Sequence, residues 1–119
     1  MKLEILYEDN HLIAVNKPAG LVVQDNEHGL ASLEQHVKSY IKIKYNKPGA
    51  VFLGCIHRLD TNVTGIVLFA RTSKALTRMN DQFKNRLIQK TYAALIRRKP
   101  QPMAGTLEHW LKKDPKQNK

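Results

Sequence analysis

The sequence has little cysteine and no long apolar segment. Cys55 is the only cysteine, so the chain can form neither an internal disulfide nor a Cys-Cys pair for zinc, which fits a reducing compartment. No apolar run approaches the roughly 20 residues needed to cross a bilayer, and the first residues lack the uncharged core of a secretory signal. These absences predict a cytoplasmic protein that is not inserted in a membrane.

Acidic residues are scarce in the second half of the chain. In total, 20 Lys and Arg face 10 Asp and Glu, which gives a net charge of +10. Acids outnumber bases before Val37, whereas from Arg71 to Lys99 Asp81 is the only acid among many bases. A confined basic region suits a polyanion, because each phosphate that it neutralises releases counterions. On charge alone, a well-solvated surface is an equal alternative.

The length and composition predict one globular domain or part of one. The chain has 119 residues, of which 42% are hydrophobic and 25% charged. Loose alternation from Leu3 to Tyr7, turn residues from Glu8 to Asn10 and an apolar run from Leu12 to Val15 predict a β-hairpin. Lys17 to Gly20 then forms a turn before an extended segment, Leu21 to Val23.

Apolar spacing predicts two amphipathic helices in the rest of the chain. One includes Leu30, Leu33, Val37, Tyr40 and Ile41 and ends at Asn46 to Gly49. The other begins at Thr72 or Ser73 and carries Leu76, Met79, Phe83 and Leu87 on one face. Strands are predicted within Val51 to Ile56, Gly65 to Ala70, Thr91 to Ile96 and Leu107 to Leu111, and a frayed polar tail over residues 112–119.

A polar segment, His57 to Thr64, lies between two of the predicted strands, where a rigid scaffold often presents functional groups. Asp60 in this position can act as a nucleophile, a general base or a metal ligand. The structural alternative is a turn in which Asp60 caps backbone amides and pairs with Arg58. No neighbouring ligands complete a metal site, so metal binding is disfavoured.

Three stretches together resemble the RluA family of RNA pseudouridine synthases. The family's hallmark loop reads His-Arg-Leu-Asp with glycine five residues later, and here it is His57 to Asp60 with Gly65. Tyr7 to Leu21 and Lys90 to Leu95 match further family motifs in the same order. Each motif alone is weak evidence, whereas all of them in this order and spacing are specific.

The resemblance implies an α+β pseudouridine synthase fold, truncated at the C-terminus, with a mixed or antiparallel sheet and flanking helices. It also implies an enzyme that acts on ribosomal or transfer RNA. Asp60 would be the catalytic aspartate and Tyr92 would lie against the target uracil. Arg58 would face the RNA, and we also expect RNA contacts from His57, Lys90 and Arg71. No cofactor or metal is expected, because uridine isomerisation involves no net redox change and needs no energy donor.

The resemblance also implies that the chain is a partial catalytic domain over residues 1–119. A later family motif, with a basic residue that pairs with the catalytic aspartate, is absent, so we expect activity to need the missing C-terminal half or a second chain. A non-catalytic RNA-binding module or inactive fragment is the alternative function. A basic structural protein of the ribosome would leave the His57 to Asp60 loop unexplained. Lys17, before Pro18, is interpreted as a solvated turn lysine at least as readily as an RNA contact.

Overall fold

The computed structural model describes residues 2–25, 31–98 and 105–106. Within them the chain forms a sheet of antiparallel neighbours with two helices, which confirms the predicted α+β class. The order of strands across the sheet is β1-β2-β4-β3. The elements in chain order are β1 (Glu4–Glu8), β2 (Leu12–Lys17), α1 (Leu33–Lys44), β3 (Gly54–Cys55), β4 (Gly65–Ala70) and α2 (Ser73–Lys84).

The core lies between α1 and one face of the two central strands. Ile13 pairs with Phe69, and Val15 pairs with Val67, so these alternate residues share a face. All four are completely buried, together with Leu33, Val37 and Ile41 of α1. Each such side chain contributes about 1.5 to 3 kcal/mol through burial. The helical spacing of the apolar residues therefore predicted α1, with Asn46 at φ 49° just beyond its end. The helix begins at Leu33, and Leu30 of the predicted helix lies outside the described residues.

Helix α2 packs close to the short strand β3. Thr72 is its N-cap, and the Thr72 hydroxyl accepts a hydrogen bond from the Ala75 N–H at 3.1 Å. Gly54 allows the close approach, because a Cβ at that position would lie 2.8 Å from Leu76 Cδ2. The predicted extension of this helix to Leu87 is wrong. The helix ends at Lys84, and Arg86 takes a left-handed conformation, φ 57°, that turns the chain away.

The chain divides into two compact units, Met1–Gln89 and Lys90–Lys119. The sheet and both helices belong to the first unit. In the second, the strand predicted at Thr91 to Ile96 is wrong, since the described residues 90–98 contain no strand. Leu95 is fully exposed there, and an extended segment without a neighbouring strand leaves its backbone groups unpaired. The predicted strand from Leu107 to Leu111 and the polar tail lie outside the described residues.

Candidate active site

The loop from His57 to Thr64 connects β3 to β4 at one end of the sheet, which we call the Asp60 end. Burial alternates along its first residues: His57 and Leu59 are half-buried, whereas Arg58 and Asp60 are exposed. Leu59 packs against the main hydrophobic core. His57 and Leu59 thus anchor the loop to the domain, whereas Arg58 and Asp60 present their charged groups to solvent.

His57 holds the start of the loop against β4. Strand β3 pairs with β4 only as far as Cys55, opposite Phe69. Beyond that point, His57 Nε2 accepts a hydrogen bond from the Leu68 backbone N–H at 3.0 Å and replaces the missing strand partner. The imidazole also stacks on Phe83 of α2, with ring centroids 5.4 Å apart. Accepting at Nε2 requires the neutral imidazole with its proton on Nδ1, so this residue links three parts of the fold.

Lys17 holds the other side of the loop from within the protein. Its side chain is completely buried, and its Nζ donates to the backbone carbonyls of Pro18 at 2.9 Å, Leu21 at 2.8 Å and Thr61 at 2.8 Å. These bonds use all the N–H donors of the ammonium group. Burial lowers the pKa of Lys17, and the negative charge of Asp60 opposes that shift. Lys17 therefore ties the turn after β2 to the residue next to Asp60.

Two glycines allow the backbone of these turns to meet. Gly20 has φ 87°, and its N–H donates to the Thr61 carbonyl at 2.7 Å. Gly65 has φ 142° and lies opposite Lys17 in the sheet, where the loop enters β4. Residues other than glycine rarely adopt these φ values. The motif glycine five residues after Asp60 thus has a backbone function, since it directs the chain from the loop into the strand.

The Asp60 carboxylate has no hydrogen-bond or ion-pair partner among the residues that the structure describes. Its backbone carbonyl accepts the Val63 N–H at 3.0 Å and closes a turn. Arg58, two residues away, likewise forms no ion pair within the described ranges. The alternative in which Arg58 pairs with a capping Asp60 is therefore not observed. Both groups are available to a ligand.

The remaining predicted site residues lie elsewhere. Arg71 follows β4 at the opposite end of the sheet, which we call the Glu8 end, and donates to the Asp9 carbonyl while its guanidinium lies 4.6 Å from the Tyr45 ring centre. Lys90 and Tyr92 belong to the second compact unit, where both are exposed. The structure brings Asp60 and Arg58 together with His57, but it does not bring Arg71 to them. RNA contacts by His57, Arg71 and Lys90 stay predictions.

Lys17 is the residue whose importance the sequence analysis missed. Its interpretation as a solvated turn lysine is wrong, because its side chain has no exposed surface. The signal was the two-residue period of the strand: Ile13, Val15 and Lys17 share a face, and the first two are core residues. A lysine on that face must find internal acceptors, and the following turn supplies them.

Two features are absent from the described ranges. No group of three or more His, Cys, Asp or Glu side chains there is arranged to hold a metal ion. No helix in residues 2–25, 31–98 or 105–106 is long and apolar enough to span a membrane.

The fold and this loop define an α+β domain that presents an aspartate and an arginine at one end of an antiparallel sheet. Residues 11–119 match the family described as RNA pseudouridylate synthase. The chain belongs to this family, and the resemblance seen in the loop and its flanking motifs is confirmed.

Individual relatives agree with this assignment. A tRNA pseudouridine synthase C of Pasteurella multocida is 38% identical over 97 residues, which are 82% of this chain and 38% of the relative. A ribosomal large subunit pseudouridine synthase C of Escherichia coli is 38% identical over 93 residues, 78% of this chain and 27% of the relative. The solved structure of human RNA Pseudouridylate Synthase Domain Containing 4 has a TM-score of 0.59 at 25% identity and covers 71% of this chain and 30% of that one. The chain therefore spans well under half the length of these relatives.

Proposed function

We propose that the chain takes part in the isomerisation of uridine to pseudouridine in RNA, with Asp60 as the residue that attacks the target nucleotide. The observation that carries the proposal is the exposed Asp60 carboxylate, which has no hydrogen-bond or ion-pair partner among the described residues although its loop is anchored by Lys17, His57 and Leu59. A nucleophile or base needs a lone pair that can reach the substrate and a backbone that holds it in position, and this loop meets both conditions.

The chemistry requires no other reactant. The bond between the sugar and N1 of uracil breaks, the base turns, and a bond forms between the sugar and C5. The hydrogen lost from C5 is balanced by the hydrogen gained at N1, so product and substrate are isomers. Because a stacked base cannot turn, the target nucleotide must be unpaired or extruded, at a cost of a few kcal/mol. The exposed Arg58 guanidinium, two residues from Asp60, is placed to contact the extruded nucleotide or its phosphate.

Ribosomal and transfer RNA are the proposed substrates, because relatives are named for both. The reaction would take place in the cytoplasm. Tyr92 remains the proposed contact for the target uracil, and stacking of an aromatic ring on a base supplies about 1 to 3 kcal/mol. Tyr92 is 63% exposed and available for such a contact. Completion of the site by further residues or by a second chain also stays a prediction.

The test is nucleoside analysis of ribosomal and transfer RNA after incubation with the chain and with its Asp60→Ala variant. With the site completed by a second copy of the chain, we expect pseudouridine with the original chain and none with the variant. Asp81→Ala is the matched control, since Asp81 is an exposed aspartate on α2. Product retained by Asp60→Ala would remove Asp60 from the mechanism, and equal loss in Asp81→Ala would show that the loss is not specific to Asp60.

A second candidate is an RNA-binding module without catalysis, which is favoured by the small share of the relatives that the chain spans and by its net charge of +10. This candidate predicts RNA binding that weakens with salt, survives Asp60→Ala and yields no pseudouridine. Product formation by the original chain would exclude it.

A further inference from the structure

A cleft of about 330 Å³ lies at the Glu8 end of the sheet, between the β1–β2 turn and α2. Asp9 and His11 line it from the turn, and Lys74, Arg78 and Gln82 line it from the helix. The helical residues are four positions apart, so they form one stripe along α2. The family motifs do not assign a function to this stripe, and the cleft is separate from the loop that carries Asp60.

The cleft carries an excess of positive charge. Its carboxylate, Asp9, already accepts hydrogen bonds from the Tyr7 hydroxyl at 2.7 Å and from the backbone N–H groups of His11 at 2.7 Å and Leu12 at 2.8 Å. These bonds, that of Tyr7 first, lower the pKa of Asp9 to about 2. Lys74 and Arg78 are exposed and form no ion pair with any residue in the described ranges. Two cations thus face one carboxylate that already accepts three hydrogen bonds.

Helix α2 leads from the cleft towards the Asp60 end. Leu12, in the cleft wall, pairs with Ala70, and five residues further along the sheet Lys17 pairs with Gly65. At about 3.3 Å per residue, the two ends are about 17 Å apart. The helix begins at Ser73 beside the cleft, and Phe83 near its C-terminus stacks on His57 at the start of the loop. A single rigid element therefore connects both places.

We propose that this cleft binds the phosphodiester backbone of the RNA whose target nucleotide occupies the Asp60 loop. Arg78 offers a planar pair of donors to a phosphate, and Lys74 offers a point charge. Contacts of this kind fix the register and orientation of a nucleic acid without reading its sequence. The inference rests on the proposed function, and it implies that the recognised RNA extends about 17 Å beyond the target nucleotide.

The test is binding of bulk transfer RNA at several salt concentrations by a Lys74→Ala/Arg78→Ala variant. Each lost phosphate contact makes the slope of log affinity against log salt less steep by about 0.7 to 0.9. We therefore expect the slope to become less steep by about 1 to 2, and binding at low salt to be about tenfold weaker. The charge-matched control is Lys42→Ala/Lys47→Ala, which removes two exposed lysines at and beyond the end of α1. A variant with Lys74→Arg and Arg78→Lys keeps both charges and should retain the original slope.

Each outcome has a distinct meaning. Equal weakening of RNA binding in the Lys74/Arg78 and Lys42/Lys47 variants would show a general effect of net charge and would overturn the proposal that the cleft binds RNA. Unchanged binding in the Lys74/Arg78 variant would overturn it as well. Because the readout is binding, absence of pseudouridine formation leaves the test valid, whereas failure of the original chain to bind RNA would refute the proposed function itself. Far-UV circular dichroism checks that both exposed double variants remain folded.

Discussion

The two ends of the sheet hold carboxylates in opposite situations. At the Glu8 end, Glu8 accepts hydrogen bonds from the Tyr40 hydroxyl at 2.7 Å, the Lys44 ammonium at 2.9 Å and the Tyr45 hydroxyl. At the Asp60 end, the carboxylate of Asp60 accepts none from the described residues. The same chemical group therefore stabilises the fold in one place and is left available in the other. The difference lies in the surroundings of each carboxylate and not in its residue type.

At the Asp60 end, a buried cation holds the loop in place. Lys17 and the carbonyls that it contacts hold the turn after β2 and the Asp60 loop together from inside the protein. At the Glu8 end, elements are joined by Tyr40 and Lys44 of α1 and by Tyr45 directly after it. Changes at the two ends should therefore affect stability and function to different degrees.

Replacing Lys17 should have the largest effect. A Lys17→Met variant keeps most of the apolar volume but leaves the Pro18 and Leu21 carbonyls without this donor, at about 1 to 3 kcal/mol each. We expect a loss of about 2 to 4 kcal/mol in the free energy of unfolding and a loss of pseudouridine formation, both measured on the same preparation. Lys42→Met, at an exposed position of α1, is the control. An unchanged urea midpoint in Lys17→Met would show that the carbonyl contacts do not hold the loop.

Acid should destabilise the protein through Glu8. Burial alone would raise the pKa of Glu8, but hydrogen bonds from Tyr45, Tyr40 and Lys44 lower it from 4.5 to about 2. A lowered folded-state pKa gives stability that is fully present above about pH 4.5 and is lost as the pH falls towards 2. The maximum loss is about 3 kcal/mol.

Urea unfolding from pH 6 to pH 2 tests this account of Glu8. The difference in unfolding free energy between the original chain and Glu8→Gln should be largest at pH 6 and should shrink through the range from 4.5 to 2. Subtracting the variant removes the contribution of other carboxylates, among them Asp9. A difference that stays constant with pH would contradict the assigned hydrogen bonds.

Replacing His57 should have a smaller effect, localised to the junction of β3 and β4. A His57→Phe variant can still stack on Phe83 but removes the acceptor of the Leu68 N–H, which costs about 1 to 2 kcal/mol. Hydrogen exchange at the Leu68 amide should become faster in this variant. In the Thr77→Ala control, which changes an exposed residue of α2, it should not. Equal exchange at Leu68 in the original and His57→Phe chains would show that the imidazole does not replace a strand partner.

The sequence predicted the parts of the fold that depend on local periodicity. The hairpin, α1, β4 and the start of α2 at Thr72 all follow from apolar spacing, turn residues and capping. The end of α2 did not, because its stop is set by the backbone at Arg86, a residue without a helix-breaking side chain. The strand predicted at Thr91 to Ile96 is absent for another reason. A segment with strand propensity forms a strand only beside a neighbouring strand, and its own sequence does not show whether that neighbour exists.

In the candidate site, too, the sequence predicted what depends on local pattern and did not predict contacts with distant residues. The loop motif indicated Asp60 and Arg58, and the alternation of burial along His57 to Asp60 explains why these two are exposed. The partners of Lys17 could not be read from the sequence, since Thr61 is 44 residues away along the chain. Arg71 was expected at the RNA because of its charge, whereas its observed contacts are with Asp9 and Tyr45. Charge alone does not show whether a side chain is already engaged.

The most direct test of the contrast between the two ends compares Asp60→Asn with Glu8→Gln, since each variant removes one negative charge and little volume. Thermal unfolding midpoint and pseudouridine yield on ribosomal and transfer RNA are measured for both. The account predicts that Asp60→Asn keeps the midpoint and loses the product, whereas Glu8→Gln lowers the midpoint and keeps the product at temperatures where it is folded. A lowered midpoint with retained product in Asp60→Asn would contradict it.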